Sequence, residues 1–461
     1  MICDGYAAAK PLATPNKTPC PSTSAIVAGK QNPVMPRYLS PVRYGSSTEA
    51  RFFHHFESLA CLELLDSPDL TGCAFPLAHQ DEALRRTMAA VGAAHHFFIC
   101  KGSGNMPCQA VNDLYFESFT LYNQAIASLT GLSSVSQETV LLCCLLFICY
   151  ESMVGRYAES LKHLKAGLRL LASHRFDTSC GISDLMRAVF DLFAHIGNDF
   201  SQLMENNLSP SSKAQAYLTQ VSCGTEGPFH ALHEAANELR QMDLEATELM
   251  SNYDWSTTDG AYQTPPECLA LNARFVHWGR RFDLAVEQLS QTPLHASDAM
   301  MILNLRLQQG VWRISMHLDD PEANHPAINE SCEFFIRHAE PVAEHFISLR
   351  RPTFAVEGDL ISGLSLALAM TTDKGLQRRA FDMLDALDRR EGGWDSRDIA
   401  EMHRARFSQE DPTRWDFEEI PGGLPGFVKM LSVRTSAIRP ENGLLWLDTE
   451  SMQSMVEDMG L

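Results

Sequence analysis

Three sets of residues in this chain have the types, though not the spacing, that metal chemistry requires. Asn198-Asp199 with Ser201 and Glu205 approximates the magnesium motif NDxxSxxxE, whose oxygen ligands must fall on one helix face to share a cation. Here the serine and the glutamate each stand one position early. The partner carboxylate motif DDxxD is also broken, because Asp319-Asp320 runs into Pro321-Glu322-Ala323. His233-Glu234 begins like a zinc-protease HExxH, but Asn237 occupies the place of the second imidazole. His54-His55 and His95-His96 are adjacent pairs, and neighbours on a helix point about 100° apart, so neither pair chelates one ion easily. Both pairs are read as partly buried packing residues. No catalytic residue, cofactor site or metal site follows from these patterns, and the chain is not expected to be an enzyme.

The 13 cysteines carry a similar message. No two are three positions apart, so the C-x2-C pairs that converge thiolates on zinc do not occur. Many sit in apolar contexts such as Cys143, Cys144 and Cys149, with no signal peptide ahead of them. They are read as reduced core thiols of a nuclear or cytosolic protein.

The elements that position these residues are helical. An apolar run from Val140 to Tyr150 ends in Glu151 and a Gly155 turn, after which Tyr157, Leu161, Leu164, Leu168 and Leu171 recur at steps of four and three. This predicts a buried helix joined to an amphipathic one. The run is too short for a bilayer, which needs roughly 20 apolar residues, so a protein core is its expected surroundings. Glu151 and His163 are the polar groups of this hairpin. If its helices fold antiparallel about Gly155, Glu151 could reach a polar group on the second helix, His163 among them. The two readings of these residues are structural polar contacts and an effector-sensing site.

Elsewhere, Ser46 and Glu49 have the spacing of a capping box before Phe52, Phe53 and Phe56, which places the first ordered helix there. Helical patterns then run to about residue 390, with breaks at 102–107, 131–136, 173–181, 208–212, 224–228, 256–266 and 319–326. No alternating stretch is long enough to argue for a sheet. In the block 378–396, Ala380, Leu384 and Leu387 share a helix face, Gly392-Gly393 is expected to stop that helix, and Trp394 to fold back over it. Arg378 and Arg379 are read as solvated or intramolecularly paired, with an acidic partner as the alternative.

These stretches resemble a known family. Gln137-Glu138-Thr139, Leu146 through Glu151, Gly155-Arg156-Tyr157 and His163 through Leu171, including Gly167, look like the central motif of the fungal-specific transcription factor domain. That domain is the helical regulatory region of fungal zinc-cluster transcription factors. Phe52–Ser58 with Ala89–His95, then Tyr122 through Ile126, and finally Arg378-Arg379-Ala380 through Glu391-Gly392-Gly393-Trp394-Asp395-Ser396 follow in the family's order. The resemblance spans roughly residues 48–435. It implies a transcription regulator in the nucleus, an activator, that controls a metabolic or secondary-metabolite gene set through coactivators, a dimer partner or a small-molecule effector. The family's six-cysteine zinc cluster is absent from the chain, so zinc is expected only if such a cluster is encoded upstream, and no direct DNA binding is expected from this chain. Cys3-Asp4-Gly5-Tyr6 is similar to the end of such a cluster, which makes Cys3 a remnant zinc ligand; a chance match is the other reading.

Charge fits that division. Residues 1–47 hold five basic residues against Asp4 alone, so the net −20 of the 461-residue chain becomes −24 over the rest. A region that acidic is repelled by DNA phosphates unless a separate basic module holds it there. The expected organisation is a disordered Pro-rich linker over 1–47, one all-α domain of packed helical hairpins over 48–435, and an acidic-hydrophobic tail over 436–461. From Glu441 to Leu461 the tail has five acids and no lysine or arginine, interleaved with Leu, Met and Trp446. It reads as an activation segment or as a terminal helix docked on the core. The alternative for the whole chain is a helical scaffold or ligand-binding protein that no longer acts at promoters. No membrane association is expected.

Overall fold

In the computed structural model the described residues are 44–407, apart from 65–67, 104–105, 132–135, 174–183, 205–226, 253–264, 292 and 318–324. The expected linker, save for 44–47, and the expected tail lie outside them, as do Cys3, Glu205 and Asp319–Ala323.

The described residues are overwhelmingly helical, as the patterning predicts. The chain begins with α1 (Ser47–His55), a π-helical turn (Phe56–Ala60) and α2 (Cys61–Leu64), followed by α3 (Pro68–Gln80), α4 (Glu82–Ser103) and α5 (Cys108–Gly131). The hairpin comes next as α6 (Gln137–Val154) and α7 (Tyr157–Ser173), then α8 (Asp184–Met204). A second group is α9 (Leu232–Asn252), α10 (Pro266–Leu289), α11 (Ala296–Ser315) and α12 (His325–Ser348). The last elements are β1 (Thr353–Ala355), α13 (Leu360–Met370), α14 (Lys374–Ala386), β2 (Arg389–Glu391), β3 (Trp394–Asp395) and α15 (Ser396–Phe407).

The start of α1 shows the local chemistry. Ser46 Oγ accepts the Glu49 N–H at 3.0 Å, and Glu49 returns a carboxylate oxygen to the Gly45 N–H at 3.0 Å, so one orphan donor of the first turn and the N–H just ahead of the cap are satisfied. Glu49 is itself buried and also takes Arg85 Nε of α4 at 3.1 Å. The cap thereby doubles as a fastener between α1 and α4, while Phe52, Phe53 and Phe56 enter the core beneath it.

Two apolar cores result among the described residues. The larger is built on α6, which is buried continuously from Leu141 to Met153 among α4, α5, α7 and α8, and it extends through Phe335, Phe354 and Leu364 to the C-terminal elements. By length and composition α6 could cross a membrane, but 78% of it is covered by the rest of this fold, which is the environment of a core helix. The smaller core joins α9, α10 and α11 around Trp278, whose ring stacks on Phe275 and Phe282 and whose indole N–H donates to the Ala235 carbonyl at 2.9 Å.

The structure departs from the sequence-based expectation in two linked places. A three-stranded sheet is present, in the order β1-β2-β3, with Phe354 opposite Arg390 in a parallel pair and Glu391 opposite Trp394 in an antiparallel one. Strands of two or three residues are too short to show alternation, and β1 is buried on both faces. The helix expected to run to Gly392-Gly393 stops instead at Ala386. Ser396 Oγ donates to the Leu387 carbonyl at 2.9 Å and accepts the Arg389 N–H at 3.1 Å, and the Thr353 N–H donates to the Asp388 carbonyl at 2.9 Å. These partners from elsewhere in the chain divert the backbone into an extended path. The expected apolar face is present, since Ala380, Leu384 and Leu387 are buried, and so is Trp394.

Replacing Ser46 by alanine is expected to cost about 1 kcal/mol, a lost cap. Glu49→Ala is expected to cost more, about 3–5 kcal/mol, because it leaves the Arg85 side chain, 9% exposed, without its carboxylate. Urea unfolding followed by far-UV circular dichroism measures both, and equal costs would show that the cap rather than the ion pair carries Glu49's role.

Candidate functional site

Several residues singled out by sequence meet at one junction, where the α6–α7 hairpin meets the β2–β3 turn. Gly155 ends α6 in the left-handed region at φ 82°, with the Arg156 N–H returning to the Glu151 carbonyl at 2.8 Å and the Gly155 N–H to Ser152 at 3.2 Å. This closure favours glycine because any other residue there bears the left-handed strain. The hairpin is tied at its open end by Gln137 Nε2, which donates to the Leu170 carbonyl of α7 at 2.9 Å. Gly167 serves a different need: a Cβ at that position would lie 2.2 Å from Phe193 Cζ, so its absence lets α8 seat against α7.

At the closed end of the hairpin Glu151 is fully buried, and neither carboxylate oxygen has a hydrogen-bond partner of good geometry. Arg156 Nη1 lies 3.5 Å from it, on a side chain 38% exposed. Burial raises the Glu151 carboxyl above its ordinary value, against the opposing pull of the Tyr122 hydroxyl and the Arg156 charge. His163 does not meet Glu151. Its Nε2 is hydrogen-bonded to Tyr122 Oη at 3.1 Å, and its ring lies against Phe147 at 5.0 Å. Tyr122, from α5, contacts both residues, and its ring stacks on Tyr150 at 4.4 Å. Burial pushes His163 down to about 4, so it is neutral at physiological pH. The triad Glu151–Tyr122–His163 is thus a polar seam through an apolar bundle.

The C-terminal block locks onto the same place. Arg390 grips Asp395 with Nε and Nη2 at 2.9 and 2.6 Å, while its Nη1 donates to the carbonyls of Ser152 and Met153 at 2.8 and 3.2 Å. A cation is thereby placed on the last turn of α6, where it adds a donor to the Ser152 carbonyl that Gly155 already serves, supplies one to Met153, and meets the negative end of the helix dipole. Glu391 accepts Arg389 Nε at 2.7 Å and the Ile361 N–H at 3.0 Å, so it caps α13, and Gly358 packs directly on its side chain. Gly392 turns the strand at φ 53° and donates to the Ala355 carbonyl at 2.9 Å. Arg379 is paired within the molecule, to Glu333 at 2.6 Å and Glu340 at 2.8 Å, whereas Arg378 is exposed.

The remaining sequence candidates are dispersed or reassigned. Asn198 accepts a hydrogen bond from Thr247 and so joins α8 to α9, and His233 is exposed at the start of α9. The histidine pairs do converge, which their spacing did not reveal. His55 Nε2 lies 3.1 Å from His95 Nδ1, and His55 stacks on His96 at 5.1 Å between centroids. Even so, among the described residues no three His, Cys, Asp or Glu groups are placed to hold one metal ion. Burial pushes the thiols of Cys143 and Cys149 up to about 12, which makes them poor nucleophiles. Arg281 was not legible from sequence: it is buried with Glu238 at 2.7 Å and under Phe229 at 3.9 Å.

Two tests follow from the hairpin. Gly167→Ala is expected to cost about 1–3 kcal/mol by overpacking, with part of the loss regained when Phe193→Leu is added, as a double-mutant cycle in urea would show. For Glu151, the folded state holds its proton more tightly than the unfolded chain does. Its penalty is therefore absent below the ordinary glutamate value of 4.5 and grows as pH rises through the raised one. Glu151→Gln is expected to unfold at higher urea than wild type at neutral pH, the difference vanishing toward about pH 4. A variant less stable at neutral pH would mean that Arg156 outweighs burial.

The comparisons with known proteins concern the same region. The family described as the fungal specific transcription factor domain matches residues 51–220. The aspercryptin biosynthesis cluster-specific transcription regulator atnN of Emericella nidulans is 24% identical over 205 residues, which are 43% of this chain and 32% of that regulator. The alignment therefore spans about a third of the relative's length. No solved structure matches this chain. Residues 51–220, which run from within α1 to beyond α8 with the buried α6 near their centre, match the fungal specific transcription factor domain that the motifs resemble.

Proposed function

We propose that this protein regulates transcription in the manner of fungal zinc-cluster factors, at RNA polymerase II promoters of a metabolic or secondary-metabolite gene set. The observation that carries this reading is the family match over residues 51–220, which takes in the whole α6–α7 hairpin. A relative described as specific to a biosynthesis cluster supports the class of target.

In this reading the chain acts in the nucleus, without catalysis, as a regulatory body. With −24 on the residues after 47, it reaches promoters through a separate basic module or a dimer partner rather than by its own contact with DNA. The acidic and hydrophobic residues of 436–461 recruit coactivators, and Arg378, exposed on α14, adds a cation to the surface. Zinc belongs to the protein only where a six-cysteine cluster, ending at Cys3, is encoded ahead of Met1.

The test is to tether the chain to a heterologous DNA-binding module beside a reporter, with and without residues 436–461. The expected result is a several-fold change in reporter output that shrinks when the tail is removed. Output equal to that of the DNA-binding module alone, together with an unchanged transcript profile on deleting the gene, would overturn the proposal in favour of a scaffold.

A further inference from the structure

The first half of α5 shows solvent a row of aromatic rings that no packing in the fold calls for. Phe116 is 64% exposed and Phe119 39%. Both lie against Tyr115, with ring centres 5.9 and 6.4 Å away, and Tyr115 in turn lies 5.4 Å from Phe97 of α4. Exposed apolar surface beside polar groups is the usual mark of an interaction site.

Cations border this row. Lys101 at the end of α4 is exposed and holds its Nζ 5.7 Å from the Phe97 ring centre. Gly102, the next residue, packs directly on Pro352, since a Cβ there would lie 2.2 Å from Pro352 Cγ. That contact brings the turn after α12 to the same end of α4. Arg350 in this turn is exposed at φ 52°, a left-handed position that ordinarily favours glycine, and here it carries a guanidinium instead. Neither Lys101 nor Arg350 has an ion-pair partner among the described residues. The acids of the same stretch of α5 are already engaged: Glu117 with Arg51 at 2.6 Å, and Asp113 with Gln109 at 3.0 Å. In a chain with −24 after residue 47, this is a place where positive charge stands free beside exposed rings.

We propose that residues 441–461 of this same chain dock here, their methionines against Phe116 and Phe119 and their acids beside Lys101 and Arg350. The segment has five acids and no lysine or arginine. Met452, Met455 and Met459 recur at steps of three and four, so on a helix they share a face, with Asp448 on it and Asp458 at its edge. Methionine side chains make favourable sulfur contacts with aromatic rings, and opposite charges set the register. Residues 408–440 join α15 to this segment, and a chain of that length spans about 30 Å on average even as a random coil. Tethering raises the local concentration to roughly the mM range, which favours the chain's own tail over a free peptide of the same composition. A second exposed apolar stripe, Leu269, Val276 and Leu284 on α10, suits the segment less well, because Arg280 is outnumbered there by exposed Glu267, Asp283 and Glu287. The docking supplies a resting place for the tail in the regulator reading but does not rest on that reading.

Photocross-linking in the purified full chain tests it, with Phe116→p-benzoylphenylalanine as the probe and Leu269→p-benzoylphenylalanine as the comparison, both at exposed positions that leave the cores intact. Linked peptides are read by mass spectrometry on an equal mixture of light and heavy isotope-labelled chains, so that links within a chain are told from links between chains. The expected result is links from position 116 to residues 441–461 within one chain. Their yield should fall at least about threefold in the Lys101→Glu, Arg350→Glu double variant, and similarly in about 1 M salt, where the Debye length is about 3 Å. Links from 116 that never reach 441–461, links between chains only, equal yield from position 269, or a yield unmoved by the charge reversal would overturn the proposal. No promoter enters the experiment, so a failure here is distinct from a failure of the transcriptional reading.

Discussion

The rest of the fold depends on what happens at the last turn of α6. A helix buried continuously from Leu141 to Met153 delivers its unsatisfied carbonyls and the negative end of its dipole into a place where water cannot serve them. Arg390 resolves this by splitting its five donors between the Ser152 and Met153 carbonyls and Asp395. Arginine suits the position because its planar fork serves two geometries at once, whereas a lysine would offer a single point of charge. Its neighbours on β2 perform the same kind of service: Glu391 caps α13, and the Arg389 guanidinium lies 3.8 Å from the Phe346 ring centre. Two consecutive residues, Arg390 and Glu391, therefore end and begin helices that are remote from one another in the chain.

Polar groups inside this molecule fall into two kinds. Glu49–Arg85 and Glu238–Arg281 are paired and hold helices together at defined points. Glu151, Asp243 and Asp359 sit where burial raises their carboxyls, so each is a cost that the folded state bears. Costs of this sort are retained where specificity or binding needs them, and the two locations differ in that respect. The Glu151 seam is closed over by Arg156 and has the makings of a packing device, while Asp243 and Asp359 are answered by neutral donors of α11, the Trp312 indole N–H and Gln308.

What was legible in the sequence was local. The Ser46–Glu49 cap, the Gly155 turn, the apolar α6 and the amphipathic α7 each announce themselves within a few residues, because capping and helical periodicity act over one or two turns. The arginine reading at Arg379 and the burial of Trp394 also stand. Illegible were the features made by residues far apart. Arg390 is 238 positions from Ser152, and nothing in its neighbourhood names that partner. The helix end at Ala386 was missed because its cause is Ser396 and Thr353, while the adjacent glycines suggested a later stop. Two unpromising histidine pairs became a cluster only when α1 was laid on α4, and Asp243 and Asp359 carried no motif at all.

The Arg390 clamp also bears on how such a chain is made and divided. During synthesis α6 leaves the ribosome long before the residue that caps it, and closing so long a loop carries a large entropic cost. Until then the last turn of α6 has only the Gly155 and Arg156 N–H groups on its carbonyls. For the same reason the segment 51–220, although recognisable as a sequence family, is not a physically closed unit, since its central helix is finished by a guanidinium that lies 170 residues beyond it. A boundary drawn from sequence similarity would cut this protein through one of its own hydrogen bonds.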